Sequence, residues 1–180
     1  MSPAWPVLEN QFGGSLRYSD GRYLIELQSA PTYGAVSTAI PEIASLGDVR
    51  VEADVSLGAN PVVFGLSCRA LDVATNYEFL ISSDGAIVIG IRHAGEFERL
   101  AAERITTFQQ SGGGSYHVAA ECIDGDEGVD LILYLNNDRV AEGNDPDGIL
   151  HEGGVGMFGE LITAPGEVWF DNFQVAVPAD

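Results

Sequence analysis

Arg69, Glu78, Arg92, His117 and Glu121 alternate with apolar neighbours in four separate runs of the chain. Guanidinium and carboxylate groups are planar and make paired hydrogen bonds, so a surface carrying both can grip the vicinal hydroxyls of a sugar. The plainer reading of the same residues is a solvated sheet face laced with weak cross-strand ion pairs. Glu78 and Glu121 are also the best two carboxylates from different runs for the acid–base pair that glycoside hydrolysis requires. Little else points to catalysis. His93, His117 and His151 have no nearby Ser or Cys to build a nucleophile triad, and no metalloprotease spacing occurs.

Three further residues carry possible chemistry. Asp171 shares a two-residue period with Trp169, Phe173, Val175 and Val177, which predicts an inward carboxylate. Such a group needs hydrogen-bond partners or a cation, and a structural Ca²⁺ is the candidate metal. A β-bulge, or an Asp accepting N–H bonds from a nearby loop, is the plainer account. Cys68 and Cys122 are the only cysteines. Both fall on the apolar side of their runs, and their spacing is wrong for zinc. Two buried thiols and one disulfide both fit.

The elements that must position these residues read as strands. In Asp48–Leu57 the side chains Val49, Val51, Ala53, Val55 and Leu57 take one face, and Arg50, Glu52, Asp54 and Ser56 the other. Similar runs are predicted at 62–69, 76–82, 86–92, 116–123, 129–135 and 168–177, with weaker ones at 22–28, 35–40, 97–101 and 155–159. Turn signals separate them at Ser83-Asp84-Gly85, Asn136-Asn137-Asp138 and Asn144–Gly148. Only Pro41–Leu46 has the makings of a helical turn. If Phe64, Leu66 and Cys68, with Tyr77, Phe79 and Ile81, face the core, a meander would gather Arg69, Glu78, Arg92, His117 and Glu121 on one polar surface. Parity sends the aromatic residues Tyr77, Tyr116 and Trp169 inward.

This grammar predicts an all-β, two-sheet antiparallel sandwich with very little helix, and a single domain over residues 1–180. The Gln109–Ser115 stretch resembles a linker, but the pattern continues on both sides, so a long surface loop is expected. Twenty-seven Asp and Glu oppose eight Arg, without a single Lys, for a net charge of −19. That balance argues against nucleic acid and anionic lipid as partners. No apolar run reaches the length of a membrane span, and Met1–Pro6 has neither a basic nor an apolar leader region. The acidic clusters at 124–130 and 144–147 read as solvated turns, with Ca²⁺ ligation as the sharper alternative.

In order, Gly65-Leu66-Ser67-Cys68-Arg69, Asn76-Tyr77-Glu78-Phe79, Asp84-Gly85, Tyr116–Cys122, Leu131–Asn137, Gly153–Met157 and Val168–Phe173 form a recognisable series. It resembles the concanavalin A-like lectin/glucanase superfamily, and is similar to bacterial extracytoplasmic jelly-roll modules of cell-surface proteins and receptor-kinase ectodomains. The resemblance spans Asp48 to Val177. Asn136-Asn137 stands where the pattern usually has Asn-Gly, and both tolerate the turn. The resemblance implies a jelly roll, a Cys68–Cys122 disulfide and an extracellular or surface location. It also implies a non-catalytic module that recognises a glycan or another surface component. The Glu-x-Asp-x-x-Glu strand of the glucanase branch is missing. A structural or self-associating surface domain is the alternative, and a glycoside-active enzyme comes third. No cofactor is required beyond the candidate calcium.

Overall fold

The computed structural model describes residues 5, 7–11, 14–28, 36–39, 45–106, 108, 114–162 and 165–177. Along the chain run β1 (Leu8–Gln11), β2 (Gly14–Ser19), β3 (Arg22–Leu27), β4 (Val36–Ala39), β5 (Val49–Leu57), β6 (Val62–Asp72) and β7 (Thr75–Ser82). Then follow β8 (Ala86–His93), β9 (Glu96–Arg104), β10 (Ser115–Gly125), β11 (Gly128–Leu135), β12 (Asp138–Asp145), β13 (Gly154–Leu161) and β14 (Gly166–Ala176). There is no helix among the described residues. Of the expected helical turn at 41–46, residues 41–44 lie outside the described residues, and Leu46 forms an isolated bridge to Gly153.

The strands form two antiparallel sheets. One has the order β1-β2-β3-β14-β5-β10-β11-β12, the other β4-β13-β6-β7-β8-β9. Their inner faces share one hydrophobic core. β5 buries every second residue from Val49 to Leu57, as its alternation predicts. Phe64, Leu66, Tyr77, Phe79, Ile81, Ile87 and Ile89 meet it from the facing sheet, each at most 1% exposed. The β11–β12 hairpin turns on Asn136 and Asn137 with φ of 52° and 70°, so both adopt the left-handed geometry of a tight hairpin turn.

β1, β2 and β12 were not predicted. β12 is an edge strand whose buried positions are Ala141, Gly143 and Asp145, too small or polar to signal a strand. Asp145 is itself a surprise in an acidic cluster expected to be solvated. It is 3% exposed. Its carboxylate accepts the Tyr77 hydroxyl at 2.6 Å and the N–H groups of Asp147 and Ile149, each at 3.2 Å.

The sheets are tied together at one end. Cys68 of β6 and Cys122 of β10 form a disulfide across the core, 54 residues apart in sequence. The next residue, Arg69, has φ of 48° at an irregularity in the β6–β7 pairing. This bulge turns its side chain away from the outer face where simple alternation predicts it, and Arg69 is fully buried. Its guanidinium donates to Asp124 Oδ1 at 2.7 Å, Leu150 O at 3.0 Å, Gly47 O at 3.1 Å and Asp48 Oδ1 at 3.2 Å. Gly153 passes so near that a Cβ there would stand 2.4 Å from the Arg69 carbonyl carbon.

Two stability predictions follow from this end of the sandwich. Closing a loop of 54 residues stabilises by about 4 kcal/mol in the chain-entropy account. The Cys68→Ala/Cys122→Ala double variant should lose stabilisation of that order in urea denaturation. Equal midpoints for variant and wild type would refute the role given to the cross-link. Arg69→Met, which leaves the Gly47 and Leu150 carbonyls without their donor, should cost about 2–3 kcal/mol. Arg104→Met removes the ion pair with Asp84, in which both side chains are more than half exposed, and should cost at most about 1 kcal/mol. Similar losses for the two variants would show that Arg69 is no more structural than a surface arginine.

Candidate functional site

The outer face of the six-stranded sheet gathers polar groups around Glu78. Tyr77 and Phe79 point into the core, so Glu78 points out, opposite Ser67 of β6 and Gly90 of β8. Yet Glu78 is only 2% exposed. Arg92 of β8 grips it fork to fork, with Nε 2.6 Å from Oε1 and Nη2 3.0 Å from Oε2. This hydrogen-bonded pairing, ahead of the opposing effect of burial, raises the Arg92 pKa above its ordinary value.

Phe97 completes one side. Its ring lies 5.3 Å from the Arg92 guanidinium carbon and occupies the space over Gly90, where a Cβ would meet the ring at 2.4 Å. Two polar atoms beside Glu78, Ser67 Oγ and Asn76 Oδ1, are buried without a hydrogen-bond partner in the protein. Leaving such an atom unsatisfied costs about 1–3 kcal/mol, and neither is open to solvent. Glu160 of β13 is half-buried on the same sheet. Burial pushes its carboxyl above the usual range; nearby Arg92 opposes this and nearby Glu78 adds to it. The group thus combines a planar ion pair, two buried unsatisfied polar atoms, a carboxyl whose pKa is raised by burial and an aromatic face.

The five predicted site residues do not converge. Glu78 and Arg92 belong to this cluster. Arg69 is a buried cross-sheet tie. His117 and Glu121 lie on β10, in the other sheet, because the chain changes sheets between β9 and β10. Glu78 and Glu121 therefore face away from each other on opposite surfaces and cannot act as an acid–base pair.

On the eight-stranded outer face, Glu121 accepts from Arg50 at 2.7 Å and from the Tyr134 hydroxyl at 3.0 Å. His117 Nδ1 lies 2.9 Å from Asp54 Oδ1, and Asn172 donates to the other Asp54 oxygen at 2.7 Å. The Asn172 bond, then the His117 bond, hold the Asp54 carboxyl below its ordinary pKa. This is the cross-strand network of the plainer reading.

Asp171 corrects the parity argument. Val168 and Phe170 are buried, so Trp169 and Asp171 face outward, and Asp171 is exposed. Arg22 stacks 4.4 Å over Trp169. A register shift between Asp171 and Gln174, with Asn172 at φ 49°, then returns Phe173 and Val175 toward the core. Counting straight through this bulge inverted the first half of the strand. With Asp171 exposed, the inward carboxylate on which the calcium expectation rested is not formed.

Sequence reasoning missed Ser67, Asn76, Phe97 and Glu160. Ser67 was legible as the one hydroxyl amid Gly65, Leu66 and Cys68, and Phe97 as the aromatic facing the glycine of β8. Nothing in the sequence placed β13, and hence Glu160, on the same sheet.

No family model matches the chain, and no curated protein matches it in sequence. Solved structures do. The chain is similar to the carbohydrate binding module CBM66 from Bacillus subtilis, with a TM-score of 0.69 and 16% identity over 94% of this chain and 99% of that one. It is similar to the potassium-bound carbohydrate recognition domain of Emp46p, with a TM-score of 0.65 and 10% identity over 98% and 89%. The Bacillus licheniformis β-glucanase gives 0.60 and 8% over 99% and 94%. Its two antiparallel sheets, matched along nearly their whole length at such low identity, give this chain the concanavalin A-like jelly-roll fold.

Proposed function

We propose that this chain is a non-catalytic module that binds a neutral glycan on the outer face of the six-stranded sheet, around Glu78 and Arg92. One observation carries the reading: the partly exposed Arg92 of a forked ion pair with Glu78 lies beside the exposed ring of Phe97. Sugar hydroxyls both donate and accept, and a sugar ring has an apolar face that stacks on aromatics. The similar carbohydrate binding module and carbohydrate recognition domain support the same class of ligand. An anionic sugar fits poorly, since the Arg92 charge is engaged by Glu78, Glu160 stands nearby and the chain carries −19. The disulfide favours an oxidising compartment, in keeping with an extracellular or surface location.

Glu160 also favours a second reading. A carboxylic acid biased toward its neutral form near an ionised carboxylate is the arrangement glycosidases use. The self-associating alternative has less behind it. Leu71 and Val73 are 64% and 60% exposed at the β6–β7 tip, and two such side chains fall short of an interface.

A glycan array should retain neutral oligosaccharides over sialylated or uronic ones. Arg92→Lys keeps the charge but loses the fork, and Glu160→Gln keeps the shape but loses the acid. Each should weaken retention about tenfold, roughly the loss of one good hydrogen-bonded contact. Unchanged binding in both variants would move the ligand off this face. Hydrolysis of the bound glycan, lost in Glu160→Gln, would replace the binding module by the enzyme.

The raised Glu160 pKa also sets a stability sign. The folded state holds this proton to higher pH than the unfolded chain does, whose ordinary value is near 4.5. Folding stability from this group is therefore full below that value and declines as pH rises toward the folded pKa. Glu160→Gln should gain on the wild type between pH 4 and pH 7 in thermal melts. A constant difference across that range would disprove the shift.

A further inference from the structure

A cavity of about 450 Å³ opens between Trp5 and strands β2, β3 and β14, and none of the Glu78 cluster lines it. Phe170 reaches it from the eight-stranded sheet and Met157 from the six-stranded one, so it enters the end of the sandwich between the layers. Its volume is that of a small-molecule site. Five aromatic rings line it: Trp5, Tyr18, Tyr23, Phe170 and Phe173. They stand at steep angles to one another. Trp5 and Phe173 meet at 4.7 Å and 88°, Tyr18 and Tyr23 at 5.3 Å and 73°, and Trp5 and Tyr23 at 5.7 Å and 41°. The Tyr18 hydroxyl accepts the backbone N–H of Trp5 at 2.7 Å, which ties Trp5 to the wall.

The bulge in β14 furnishes this wall from neighbouring positions. It returns Phe173 to the core beside Trp5 and leaves the Asp171 carboxylate outside, also lining the cavity. Asp171 accepts only the N–H of Asn172 and has no basic partner among the described residues. Asn172 is a poor donor for a ligand, because its amide is engaged by Asp54. Among the described residues no Arg or His lines the cavity, and Arg22, beside its Gly21, is stacked over Trp169. The site is thus rich in π faces and its one charged side chain is an uncompensated carboxylate.

Those properties select among ligands. An anion is repelled by Asp171 and by the net charge of −19. A quaternary ammonium needs no hydrogen bond: its methyl groups are satisfied by aromatic faces, whose quadrupoles attract the charge, and by a nearby carboxylate. We infer that this cavity is a second binding site, specific for a quaternary or methylated ammonium group, with Asp171 as its counter-ion. The inference is independent of the glycan reading.

Choline, tetramethylammonium and 3,3-dimethylbutan-1-ol, the uncharged carbon analogue of choline, are the probes. The full chain carrying Trp169→Phe leaves Trp5 as its single tryptophan, so the emission of Trp5 reports occupancy. Choline and tetramethylammonium should change that emission saturably below about 10 mM, while the carbon analogue binds at least about tenfold more weakly. Asp171 is exposed, so Asp171→Asn should fold normally and weaken choline severalfold, and added salt should weaken choline in the unsubstituted site. Calorimetry on the wild type should give the same affinities, unaffected by Glu160→Gln. Equal binding of choline and its carbon analogue would make the cavity merely apolar and overturn the assignment. Absence of choline binding by both methods, or full affinity in Asp171→Asn, would also overturn it.

Discussion

A guanidinium with no solvent contact dictates much of this molecule. Burying a charge costs several kcal/mol unless paired charges and hydrogen bonds compensate it. Arg69 meets that demand with four hydrogen bonds, to residues just before β5, at the end of β10 and in the segment before β13. These segments belong to different parts of the chain, so none can take its place until the others have. Cys68, one residue earlier, is bonded to Cys122, two residues before Asp124. Covalent and ionic ties between the sheets therefore coincide, and the entropy cost of closing one loop serves both.

That end sets the register elsewhere. With Cys68 pointing inward, Ser67 must point outward, and the β6–β7 pairing sets it opposite Glu78. A slip of one residue would drive Glu78 into the core and turn Tyr77 and Phe79 to solvent. The disulfide thus determines which side chains the six-stranded sheet presents. The two outer faces have different characters as a result. On the eight-stranded sheet, Arg50, Glu52, Glu121, Tyr134, His117 and Asp54 satisfy one another across strands. On the six-stranded sheet the ion pair is satisfied, but Ser67 and Asn76 beside it are not.

Most of the strands and the inward set were legible because apolar alternation survives wherever a strand is regular, as in β5. Two site residues were misplaced, Arg69 and Asp171, and both misplacements have one cause. Each sits at a bulge containing a non-glycine residue of positive φ, Arg69 itself at 48° and Asn172 at 49°. Arg rarely adopts such a conformation, and an Asn inside an alternating run does not by itself mark a bulge, so counting in twos runs through the irregularity and reverses a face. The separation of Glu78 from Glu121 was hidden for another reason. Periodicity records which side of a strand is apolar but not which of two sheets the strand joins, and the chain switches sheets between β9 and β10.

The charge balance constrains function more firmly than any single cluster. Arg17, Arg50, Arg69, Arg92, Arg104 and Arg139 are each paired with a carboxylate, which engages six of the eight cations internally. Arg22 is stacked on Trp169. With 27 acidic residues, what remains toward solvent is overwhelmingly negative, and its field extends about 8 Å at physiological ionic strength. A ligand carrying phosphate, sulfate or carboxylate would have to approach against that field and then displace an existing ion pair. A neutral polyol meets no such opposition at Glu78 and Arg92, and an ammonium group is drawn toward Asp171. Both proposed sites are therefore consistent with the one property of the chain that is spread over its whole length.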